Sequence, residues 1–362
     1  MIRARAPFLA AGVLALLAGL WGGLARLGLD VGAPPTFAAG HGLLMTMGFL
    51  GTVIGLERAD ALRRRLAYAV PAIAAIATVA LLLGLSVAPW LLLAAAVAFA
   101  CANAYMLRVR PDLSVATMGL GGLAWIAAAL ALAIGAEMPR IVPLIAAFLV
   151  LTVVGERLEL SKLSRPPAWA GAAFVLACAV LAAGAAAALT VSGAARVAGA
   201  GLVALALWLA VWDIAWRTVR RPGATRYIAL ALIGGYVWLA AAGVTWILAP
   251  DGATVFAYDA LVHTVFVGFV MSMIFAHELV IVPAVAGIAL PFTRAFYLPL
   301  ALLHASLTAR IAGDAAGDAG VWQWAATTNV IAVLLFAAVT VGSARGLLGS
   351  RTAAGSRRAS RP

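Results

Sequence analysis

Four histidines carry most of the chemistry this sequence can offer: His41, His263, His277 and His304. All four fall inside or at the edge of apolar stretches long enough to cross a bilayer. Imidazole is costly in hydrocarbon unless something binds it, and an ionisable group at membrane depth marks a candidate functional site. A neutral imidazole can ligate iron or another metal, relay a proton, or bond a helix carbonyl. The bland reading of each of these residues is the last, a bond to a carbonyl or a neighbouring Thr.

The elements that must hold these side chains are membrane helices. Of 362 residues, 65% are hydrophobic and 10% charged, against about 25% charged in a soluble domain. Mean hydropathy is +1.08. Apolar runs of about 20 residues recur, each ended by Arg, Asp, Gly or Pro. Twelve such runs predict an all-α polytopic membrane protein with short loops and no inserted soluble domain. If the N-terminus is cytoplasmic, 21 of the 25 basic residues fall on the cytoplasmic side. The positive-inside rule therefore predicts both termini inside. The formal net charge of +12 then reflects topology and anionic lipid, with no nucleic-acid partner implied. The predicted organisation is a single transmembrane domain over 1–345 and a disordered basic cytoplasmic tail over 346–362. The opening apolar run is read as a retained helix, although it could pass for a signal peptide. Cys101 and Cys178 stand alone in apolar helices, which implies neither a disulfide framework nor covalent c-type haem.

A weak internal repeat runs through the chain. Helix two reads GFLGTVIGLERA from Gly48, helix six AFLVLTVVGERLEL from Ala147, and helix ten GFVMSMIFAHEL from Gly268. Aligning Gly48 with Gly268 sets Glu57 opposite His277 and Arg58 opposite Glu278. Three similar helices, four apart, suggest pseudo-repeats of four helices over approximately 1–110, 111–221 and 222–345.

His41 opens helix two and His263 lies two turns into helix ten, both in the outer half of the membrane. Repeat units arranged around a common centre could bring the two face to face, as the axial ligands of a low-spin haem b. Gly42 and Gly268 would leave room for a flat macrocycle. His41 reads as shallower than His263 unless helix two starts near Pro35.

The run His41-Gly42-Leu43-Leu44-Met45 resembles the H-G-x-x-M motif on the second helix of haem-copper oxidase subunit I. The chain is similar in size and helix count to the NnrS family as well, which is linked to nitric oxide stress. The oxidase resemblance implies twelve helices in three pseudo-repeats, with both termini inside. It also implies a low-spin haem, one per chain, held by His41 and His263. Two departures matter. Leu261 and Val265 flank His263 where the oxidases carry a second helix-ten His, and helices six and seven hold no His for a copper centre. This argues against reduction of oxygen or nitric oxide at a haem–copper pair, and what remains is a single-haem or altered-site relative. It would serve electron transfer or nitric oxide and respiratory stress in the bacterial cytoplasmic membrane, with a redox protein or quinol as partner. For the haem propionates the resemblance points to Arg310, at the outer end of helix eleven, with Arg140 second. The competing reading of Arg310 is a side chain snorkelling to lipid phosphate.

A second polar cluster lies toward the cytoplasmic face. His277 and Glu278 sit about 21 Å below His263 along the helix, too deep for the same haem. With Glu57, Arg58, Glu156 and Arg157 they could form a proton path, a second metal site, or ion pairs that pin helix ends. His304 lies mid-helix and offers a third candidate ligand. Asp213, among Trp208, Trp212 and Trp216, reads as the polar end of an aromatic interface belt. Two other functional classes stay open. One is a secondary transporter using buried His and Glu, against which the helices show no evident mid-membrane break. The other is a metal-handling assembly factor using His277, His304 and soft Met ligands such as Met45, Met47, Met271 and Met273.

Overall fold

The computed structural model describes residues 5–347. Among the described residues, twelve helices are long and apolar enough to cross a membrane, and the protein is a multi-pass membrane protein. We number them α1 (Ala6–Arg26), α2 (Pro35–Leu62), α3 (Arg65–Leu82), α4 (Ala88–Val109), α5 (Leu113–Ala133), α6 (Met138–Ser164), α7 (Ala168–Ala187), α8 (Ala195–Trp212), α9 (Ala224–Leu248), α10 (Val255–Ala286), α11 (Arg294–Ala316) and α12 (Ala319–Ala344). The basic tail read as 346–362 lies outside the described residues from position 348 onward. Arg5, Arg58, Arg110 and Arg157 gather at one end of the bundle, called the basic end below. His41, Asp259 and Arg310 lie toward the opposite, far end.

Consecutive spans pack side by side, and α10 touches both α2 and α6. The α6 helix is the hub: 78% of its apolar window is buried, more than any other span. Phe148 of α6 stacks on Trp125 of α5 at 4.5 Å between centroids and meets Phe99 of α4 edge-on. Large apolar side chains such as Leu123, Leu176, Leu207 and Val237 remain exposed in mid-span, as a lipid-facing surface requires. Lipid tails are as apolar as Leu, so close packing rather than water exclusion must hold these helices together. Small residues supply the close approach. A Cβ on Gly199 of α8 would stand 2.7 Å from the Gly243 carbonyl oxygen of α9.

The repeat glycines do the same work. A Cβ on Gly55 would meet Val70 of α3 at 2.6 Å, and one on Gly155 would meet the Ser114 carbonyl of α5 at 2.9 Å. Gly155→Val should therefore destabilise the bundle by about 1–3 kcal/mol through overpacking, read as a lower melting temperature in detergent. A Gly119→Ala control, whose added carbon meets nothing within 4 Å, should leave it nearly unchanged.

The α2 and α10 helices are not regular. Each has nine α-helical residues, Pro35–Leu43 and Val255–His263, followed by seven π-helical residues, Leu44–Leu50 and Thr264–Val270. The two interruptions coincide when Gly48 is set on Gly268. This corrects the reading of unbroken mid-membrane helices. A π-turn shifts the hydrogen-bond ladder by one residue, and nearby hydroxyls meet the displaced carbonyls. Thr46 Oγ1 donates to Gly42 O and Thr264 Oγ1 to Ala260 O, both at 2.7 Å. Threonine is common in membrane helices, so nothing in composition or periodicity marks the interruption. The α6 helix carries no such turn.

Basic-end loops are tied by exposed ion pairs and one cap. Asp112 precedes α5 and accepts from the Ser114 backbone N–H at 2.8 Å, while Lys162 Nζ lies 2.6 Å from its other oxygen. The Lys162 ammonium, and then the Ser114 hydroxyl, hold the Asp112 carboxyl well below the usual carboxylate range. Its contribution is therefore complete at neutral pH and fades as acidification passes below that range. Asp112→Ala should cost about 1 kcal/mol at pH 7, with the difference from the parent shrinking in acid.

Candidate functional site

The far-end cluster is built by α2, α10, α11 and α12. Helix α2 does start at Pro35, whose missing N–H suits the first turn. His41 is then the seventh residue of its helix and His263 the ninth of its own, so both sit at nearly the same depth. They are not equivalent positions. With the π-turns aligned, His41 matches Leu261 and His263 matches Leu43, two residues apart. Their imidazoles are still near enough for the charge on one to act on the other.

Both rings are anchored in the same way. His41 Nδ1 lies 2.7 Å from Gly19 O of α1, and His263 Nδ1 lies 2.9 Å from Asp259 O and 3.2 Å from its Oδ1. A carbonyl oxygen only accepts, so Nδ1 must carry the hydrogen and Nε2 keeps its lone pair. These are the carbonyl bonds of the bland reading, yet they also orient Nε2 as a metal ligand requires. Gly42 faces open space, with no atom within 4 Å of an added Cβ. Gly268 does not. Its missing side chain is replaced by Trp238, 2.6 Å from where a Cβ would stand. The room expected there is filled by an indole.

Arg310 is not a free cation. Its Nε and Nη2 donate to the two Asp259 oxygens, each at 2.7 Å, and the two side chains are 8% and 9% exposed. This corrects the lipid-snorkelling picture: the guanidinium is neutralised inside the bundle. Nη2 also stands 3.2 Å from His263 Nε2, donating into the lone pair identified above. Nη1 is less engaged, 3.5 Å from Asn329 Oδ1 of α12, while Asn329 Nδ2 donates to Ser306 Oγ at 2.6 Å. Arg140, the second candidate, is elsewhere and donates to Leu189 O.

His304 has the opposite tautomer. Trp238 Nε1 donates to its Nδ1 at 2.9 Å, so Nε2 carries the hydrogen and is buried without a partner. It offers no lone pair to a metal. His277 Nδ1 bonds Met273 O at 2.7 Å, far from His263. Among the described residues, no group of three or more His, Cys, Asp or Glu could hold a metal ion.

At the basic end, Arg58 reaches Glu156 at 3.7 Å and donates to Met118 Sδ. Arg157 pairs with Asp213, Nε to Oδ2 at 2.9 Å and Nη2 to Oδ1 at 2.8 Å, with side chains 4% and 0% exposed. Asp213 is thus a buried ion-pair partner and not the end of an interface belt. Helix α8 stops at Trp212, and Asp213 Oδ1 caps the next short helix through Ala215 N–H. Glu57 lies close to Glu156, and His277 feels the charges of Arg157 and Asp213. Glu57 also lines a cavity of about 180 Å³ between the ends of α2 and α10. Glu278, next to His277 on α10, lies near Tyr227 of α9. Asp259, Asp314 and Asn329 were missed from sequence. Asp259 and Asp314 lie near helix ends and Asn329 lies mid-helix; Arg310 bonds Asp259 and reaches Asn329, while Asp314 sits beside the pair.

A family described as "Domain of unknown function (DUF8744)" matches residues 5–345, and the chain belongs to it. No curated protein matches the chain.

Proposed function

We propose that this DUF8744 member is a haem b protein of the bacterial cytoplasmic membrane, with His41 and His263 as axial ligands and the basic end on the cytoplasmic side. One observation carries the reading. Two neighbouring imidazoles on α2 and α10 both bind carbonyls through Nδ1–H and both keep an Nε2 lone pair. That donor set suits a six-coordinate iron. One contact must yield: Arg310 Nη2 has to release His263 Nε2 before that nitrogen can ligate. Gly19 O holds the His41 ring, while Asp259 O and Oδ1 hold that of His263. Arg310 Nη1 keeps donor capacity for a propionate oxygen. Bound there, haem b would supply a one-electron couple for electron transfer.

Purified full-length protein, expressed with ample haem, should give a b-type pyridine haemochrome close to one per chain. A colourless protein would overturn the reading. In that case an ion-coupled carrier takes precedence. The aligned π-turns of α2 and α10 favour that alternative, because carriers place their sites at interrupted helices of internal repeats.

A further inference from the structure

Asp314, on α11 one turn beyond Arg310, is 9% exposed, and neither carboxyl oxygen has a hydrogen-bond partner. It lies beside the Asp259–Arg310 pair, close enough to feel both charges. Asp259 faces it but, ionised, has no hydrogen to give. Its oxygens already take Arg310 Nε and Nη2, and one lies 3.2 Å from His263 Nδ1. His263 is neutral in the tautomer fixed by its bonds, and Asn329 on α12 is uncharged. Two carboxylates and one guanidinium leave one net negative charge, buried at the far end of the bundle. An isolated charge in such surroundings is paired or neutralised.

A second group nearby is also unsatisfied. Gly313 packs directly on Trp322 of α12, with an added Cβ 2.8 Å from its backbone N. The Trp322 indole N–H has no acceptor. The indole ring itself lies edge-on to Phe256 of α10, and the idle acceptor is the Asp314 carboxylate, which a proton or a hydrated cation satisfies.

We propose that Asp314 is the core of a single-cation site at the far end of the bundle, which takes up one positive charge as a proton or an alkali ion. The site does not depend on haem, and its readouts are independent of any haem absorbance. Failure of either proposal is therefore visible without the other.

The experiment is infrared spectroscopy of the full-length protein in lipid, with Asp314→Asn as the comparison and choline as the reference cation. In choline buffer at neutral pH, a carboxylic-acid C=O band present in the parent and lost in Asp314→Asn identifies a proton. If that band is missing, replacement of choline by Na⁺ or K⁺ should shift the carboxylate bands. It should also raise the melting temperature of the parent and not of the variant, which identifies an alkali ion. Either result supports the site. A parent with neither the acid band nor a cation response overturns it. Asp314→Ser reports the same signals should the Asn variant fail to accumulate.

Discussion

Asp259→Ala should cost the fold about 3–5 kcal/mol, because it strands the Arg310 guanidinium in the bundle. Arg310 is 6% exposed, and its two short bonds both go to Asp259. Without that carboxylate, its remaining contacts are the His263 lone pair and Asn329 Oδ1 at 3.5 Å. Neither carries a formal charge, and Asp314, whose charge acts on the guanidinium from one turn away, makes no hydrogen bond to it. The pair itself need not be strongly stabilising. Replacing both members by apolar residues, as in Asp259→Leu with Arg310→Met, should recover most of the loss. Thermal unfolding in detergent, followed for both single variants and the double variant, measures the coupling. Additive losses across the cycle would mean that the two side chains do not interact as a buried pair.

On the proposed haem ligation, His41→Ala and His263→Ala should each abolish six-coordinate low-spin haem, since loss of either axial nitrogen would leave the iron with one protein ligand. His41 is the cleaner test. Its one hydrogen bond goes to Gly19 O, so removal should cost about 1 kcal/mol of stability and leave the bundle folded. His277→Ala, at the basic end, breaks an equivalent bond to Met273 O and should leave the haem spectrum intact. Equal loss of haem from all three variants would point to general misfolding instead.

The twelve spans were legible because their signal is long and redundant. Each needs about 20 apolar residues, and a few exceptions do not erase it. The matching glycines Gly55 and Gly155 stood out in the sequence, and each is required by a close neighbour, Val70 or the Ser114 carbonyl. The π-turns were hidden, since Thr46 and Thr264 look like ordinary membrane threonines until their carbonyl partners are seen. Gly268 misled for a similar reason. A missing side chain in sequence does not say whether space or an indole stands opposite. The far-end cluster was half visible. His41, His263 and Arg310 are rare types at membrane depth and stood out. Asp259 was overlooked four residues before His263, although that spacing places both on one helix face. Asp213 was seen but misassigned, because three neighbouring tryptophans suggested an interface and concealed a partner 56 positions away in Arg157.

The most direct measurement is the reduced-minus-oxidised optical spectrum of the detergent-purified protein, with His41→Ala in parallel. Ligation by His41 and His263 predicts a sharp b-type alpha band in the parent that is lost in the variant. An alpha band that survives His41→Ala unchanged, or a parent without any band when haem is plentiful, would contradict it.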